Sequence, residues 1–141
     1  LFEYILITIL HHTVETKIYS LPLPSVKHTS FDQLLNEVAV VLSALAHSSY
    51  ESAVIAQQNF DAGMEELSAK FGANFMSGDL CTLSVLNQAL DKLTQASPEI
   101  KRRIVAACVR TISNDGKITV TEGELLRAVC EALYCPLPVF T

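Results

Sequence analysis

Between Ser30 and Leu133 the apolar residues return every three or four positions, and no run alternates apolar with polar at the period of a half-buried strand. That spacing restricts the chain to helices that each bury one stripe. Phe31, Leu34, Leu35, Val38, Val41, Leu42 and Leu45 form one stripe, and Ala53, Ala56, Phe60, Met64, Leu67 and Phe71 a second, on a helix expected over residues 50–70. The short connection between them predicts an antiparallel hairpin. Further stripes are Leu83, Leu86, Leu90 and Leu93, then Ile104, Val105, Cys108 and Ile112, then Leu125, Leu126, Val129, Cys130 and Leu133. Residues 1–12 read as a helix that is apolar nearly all round. The expected class is all-α, a multi-helix bundle of about six helices forming a single domain over 1–141, with a linker at about 17–29 marked by Pro22 and Pro24.

Start signals sharpen this pattern. Ser30 with Gln33 reads as a capping box, and Ser97-Pro98 places a cap residue before proline at the first helical position. The helix after the "GANFMSGD" loop is expected to start near Asp79 or Thr82. Thr119 or Thr121 starts the last helix, with Glu122 and Glu124 each three residues on, and Pro136 and Pro138 end it. Arg127 and Glu131 are spaced as an exposed i,i+4 pair.

The segment from Asp115 to Glu122 carries the main chemical question. With Gly116 at position 6 of a calcium loop, Glu122 falls at position 12 and Asp115 at position 5. Positions 1 and 3 are then Thr111 and Ser113, where carboxylates or carboxamides belong. Two carboxylates offset the dehydration of a divalent cation poorly. The expectation is therefore a helix-start device: a tight turn at Asp115-Gly116, Ile118 plugged into the core, and Glu122 reaching back to first-turn N–H groups. A weak metal contact at Asp115 and Glu122 is the second reading.

Other chemistry is sparse. The formal charge of −5 argues against a nucleic-acid partner, whose binding rests on a basic field. "LFEYILITIL" is about half the ~20 apolar residues that span a bilayer. Cys81, Cys108, Cys130 and Cys135 sit singly and read as buried free thiols of a reducing compartment; Cys130 and Cys135 are poorly spaced for zinc. His11, His12 and Glu15 match neither H-E-x-x-H nor its inverse. Lys101, Arg102 and Arg103 make a basic spot that reads as a solvated face, or as a contact for a partner or acidic headgroups.

The run from Ser97 to Pro138 resembles the C-terminal end of long bacterial membrane zinc metallopeptidases related to the CAAX prenyl protease, often described as Zn-dependent proteases with chaperone function. Lys101-Arg102-Arg103, Asp115-Gly116, Glu122, Glu124-Leu125-Leu126-Arg127 and Cys135-Pro136-Leu137-Pro138 carry the resemblance, with weaker similarity at 42–47 and 60–63. It implies a TerB-like helical domain, cytoplasmic, at the end of an inner-membrane protein. It also implies an earlier copy of the Asp-Gly device. Glu3 then matches Glu122 and Leu6 matches Leu125, so that the chain starts inside a larger repeat.

Two functional expectations follow from the resemblance. The first is a non-catalytic interaction or regulatory domain with no cofactor of its own, the parent's zinc lying elsewhere. Its partner would be another protein or its own protease domain, and it would meet the membrane only through the parent chain. The apolar first helix adds the expectation of a homo-oligomer. The second is a TerB-like metal-responsive module with Asp115 and Glu122 as ligands.

Overall fold

A computed structural model describes residues 24–48, 52–67 and 73–139, together with the separate positions Glu3, Leu6, Ile7, Leu10, His11 and Val14. Those six positions are helical, Val14 lying beyond the expected end at residue 12, with Leu6 partly buried against the core and Ile7 and Leu10 exposed at 62% and 50%. The rest of the expected first helix, the linker before residue 24 and Phe71 lie outside the described residues.

Among the described residues five α-helices follow: α1 Leu35–His47, α2 Ala53–Glu66, α3 Leu83–Leu93, α4 Pro98–Ile112 and α5 Val120–Ala132. The fold is all-α. Four helices start where a side-chain oxygen accepts from a first-turn N–H: Ser52 from Ile55, Thr82 from Val85, Ser97 from Ile100 and Thr119 from Glu122. The exception is the first. Ser30 caps a short 3-10 turn, Phe31–Gln33, by accepting from Asp32, and Gln33 meets the ring of His28 at 3.0 Å instead of closing a capping box. Helix α1 then begins without a side-chain cap.

Helix α1 is the centre of the bundle and touches each of the other four helices. Its nine consecutive buried residues, Val38 to Ala46, are apolar except Ser43. A helix that is apolar all round must be enclosed, and the one hydroxyl inside it needs a partner. Ser43 Oγ finds it in the backbone N–H of Met76 at 3.0 Å. One turn on, His47 Nε2 donates to the Met76 carbonyl at 2.9 Å, while Phe75 lies between the rings of His47 and Phe60, with centroids 4.9 and 5.3 Å away. The α2–α3 connection is thus strapped to α1 through both backbone polar groups of one residue, Met76.

Helices α2 and α4 cross at Gly63. A Cβ there would overlap Thr111 Oγ1 and stand 3.0 Å from the Ala107 carbonyl oxygen. Thr111 is itself buried and donates to that carbonyl. Residues 27–28, part of the expected linker, are docked: Lys27 and His28 N–H groups donate to the Gln95 carbonyl, and Ser97 N–H to the His28 carbonyl. Among the described residues no helix is long and apolar enough to cross a membrane.

Candidate functional site

The Asp-Gly segment forms the turn between α4 and α5. Gly116 has φ 80°, the left-handed region where a side chain is strained. Asp115 Oδ1 accepts from the Lys117 N–H at 2.9 Å, an Asx turn. Glu122 Oε2 accepts from both the backbone N–H and the hydroxyl of Thr119, while Thr119 Oγ1 accepts from the Glu122 N–H. This reciprocal pair is the capping box expected from Thr119 and Glu122. Each of the two carboxylates proposed as metal ligands therefore serves its own local turn, and Glu122 is 5% exposed. Among the described residues no three His, Cys, Asp or Glu gather so as to hold a metal ion.

Ile118 departs from expectation. It stays 38% exposed and rests on the first turn of α5, beside Gly123, instead of plugging the core. The buried apolar residues nearest the turn are instead Ile112 at the end of α4 and Leu125 on α5. The turn is tied to α2 by a different pair, Asn114 Nδ2 donating to Asn59 Oδ1 at 3.1 Å. On α5, Arg127 reaches Glu124, at 3.5 Å.

The basic triplet divides by function. Arg103 lies 4.5 Å over the Phe31 ring and donates to the Leu67 carbonyl at the end of α2. Lys101 sits 5.7 Å from the Tyr134 ring centre, and burial draws its amine below the usual lysine range. Lys101 is partly buried, so the solvated-face expectation is corrected for it, whereas Arg103 stays exposed while making its contacts. Arg102 is exposed as well, held to its own helix by a 3.4 Å contact with the Pro98 carbonyl.

Arg102 stands where two grooves meet. Along the outer face of α4, residues 102, 105, 106, 109, 110 and 113 recur at helical spacing and floor a groove of about 440 Å³. One wall is Glu66 from the end of α2, the other Cys135, Pro136 and Pro138. Across the Cys135-Pro136 ridge lies a second groove of about 380 Å³, bounded by Pro24, Val26 and Tyr134.

The ridge is placed by the end of α5. Cys135 N–H donates to the Cys130 carbonyl and Tyr134 N–H to that of Glu131, the paired bonds of a Schellman ending. Glycine usually fills the left-handed position of that motif. Here it is Tyr134, at φ 57°.

The same ending draws three cysteines together. Cys108 and Cys130 are buried and Cys135 is partly so, all as free thiols. Burial pushes the Cys108 thiol far up, with further repulsion from Cys130 and Cys135 against a small backbone contribution the other way. Cys130 is pushed up to about 11, first by burial, then by Cys135 and Glu131. Burial also raises Cys135, while Lys101 and Arg102 pull against it. Burial thus favours the protonated, less nucleophilic form of all three thiols.

Sequence reasoning found the turn and missed the grooves. The available signal was Arg102, Ala106, Val109 and Arg110, a stripe on the side of α4 away from Ile104 and Cys108, with Val105 at its border with the core. No family model matches this chain, and neither curated proteins nor solved structures give a match.

Proposed function

We propose that this chain is a non-catalytic interaction and regulatory module, acting as the cytoplasmic C-terminal domain of an inner-membrane zinc metallopeptidase of the CAAX-protease-related kind. The single observation that supports a binding role is the pair of apolar grooves meeting at Arg102 and the Cys135-Pro136 ridge. Concave apolar surface with a few placed charges is what a binding site needs. The protease parent is supported by the sequence resemblance in the last third of the chain. Two measurements test the proposal. The gene's full reading frame is expected to carry an H-E-x-x-H flanked by membrane spans upstream of Leu1. In the full-length protein, Ala106→Glu, an exposed change in the floor of the larger groove, is expected to alter substrate cleavage or assembly with the melting temperature of the domain unmoved. A reading frame without the zinc motif removes the parent; unaltered behaviour of the variant removes the groove.

The runner-up is a TerB-like metal-responsive module with an ion at Asp115 and Glu122. Their placement on either side of one turn favours it, and the hydrogen bonds each already accepts oppose it. Calorimetric titration with calcium, zinc and manganese separates the two readings: heat together with a rise in melting temperature supports the metal module.

A further inference from the structure

Resting on the interaction-module reading, we infer that the larger groove takes an amphipathic helix of a partner protein that carries an acidic residue at each end of its apolar stripe. Three observations carry this. First, the floor is a strip of α4 in which Val105, Ala106 and Val109 lie between Arg102 and Arg110. Those two residues are eight positions apart, about 12 Å along the helix axis at ~1.5 Å per residue. Second, among the described residues neither guanidinium is paired with a carboxylate, whereas Lys92 and Arg127 each have an acidic partner and Arg103 is held by Phe31 and Leu67. Third, the chain is acidic overall, at −5, yet this face presents two arginines against the single carboxylate of Glu66. An anionic partner is selected by that local field.

The apolar floor adds a length requirement. A ligand that satisfies both arginines must bridge them with apolar surface, because Val105, Ala106 and Val109 offer no polar partner. In a helix, two acidic residues eight positions apart span the same ~12 Å and leave apolar anchors between them at three- and four-residue spacing, the helix-in-groove mode. A free dicarboxylate or an anionic headgroup meets one arginine or the other without covering the floor.

The probe is a fluorescein-labelled, lactam-stapled helical peptide with Glu at two positions eight apart and Leu between them at helical spacing. The control replaces both Glu by Lys. Fluorescence polarisation against the 141-residue chain is expected to show the Glu peptide binding at least about tenfold tighter than the Lys peptide, with affinity falling as salt rises. The double variant Arg102→Glu, Arg110→Glu is expected to weaken the Glu peptide by about tenfold or more, two rim charges each being worth up to a few-fold. Ala106→Lys, which fills the floor while adding positive charge, is expected to weaken it too. Equal affinity for the two peptides, or unchanged binding by the double variant, overturns the inference. So does arginine-dependent binding to phosphatidylglycerol vesicles with none to the peptide. If the Glu peptide fails while Ala106→Glu still alters the full-length protein, the acidic-helix ligand is wrong and the module reading stands.

Discussion

The inward face of α4 meets α2 at Gly63, where the backbone of one helix approaches Thr111 and Ala107 too closely for a methyl group. The outward face of the same helix carries Ala106 and Arg110 in the open, over a groove. On the inside, Ile104, Ala107, Cys108 and Thr111 are fully buried, and the one hydroxyl among them is hydrogen-bonded. On the outside, apolar surface is left open and the guanidiniums of Arg102 and Arg110 have no carboxylate partner among the described residues. The difference separates residues that hold the fold from residues that the fold presents. Helix α4 does both, because its two stripes lie on opposite sides of one cylinder.

Substitutions on the two faces should therefore behave differently. Gly63→Ala attacks the inward contact most directly. Overpacking of this kind is expected to lower stability by about 2–3 kcal/mol in urea denaturation; a wild-type midpoint would mean that α2 and α4 do not cross so closely. Arg103→Ala removes a bond to the Leu67 carbonyl and a ring contact, and is expected to cost about 1–2 kcal/mol. Arg110→Ala, on the groove side, is expected to stay within about 0.5 kcal/mol of the parent. Equal losses for the two would erase the distinction between the faces.

Thiol chemistry sharpens the same contrast. In native buffer a maleimide is expected to modify Cys135, on the ridge, about tenfold faster than Cys108 or Cys130, which are released only when the protein opens. Cys108 labelled as fast as Cys135 would contradict an enclosed inward face. The smallest effect is on pH. Cys130 titrates near 9 when unfolded and at about 11 when folded, so folding favours its protonated form. That contribution is complete below pH 9 and lost as pH rises toward 11. The melting temperature is expected to fall across that window, with a shallower slope in Cys130→Ala. A flat profile would place the thiol in water.

What could be read from the sequence was what is local. Ser97-Pro98 and the Thr119–Glu122 box announce helix starts because a cap acts within four residues. The Asp115-Gly116 turn was legible for the same reason. Ser30 misled, since it caps a 3-10 turn that α1 follows without help. Ile118 misled because its burial depends on how α5 leaves the turn, which no neighbouring residue records. Lys101, Arg102 and Arg103 look alike in sequence, yet successive residues point about 100° apart around a helix, and each finds a different neighbour. The candidate site was hidden for a related reason: its far wall is made by residues 135–138, brought back against α4 by a left-handed residue that is not glycine.

That residue has a mechanical consequence. A side chain in the left-handed region costs about 1–2 kcal/mol, and Lys101 over the Tyr134 ring helps to hold it there. Pro136 and Pro138 then stiffen the departing chain. The tail accordingly has one azimuth, set by a tyrosine that works as a stop on a hinge. A glycine at 134 would keep the helix ending and free the swing, turning a rigid jaw into a loose flap.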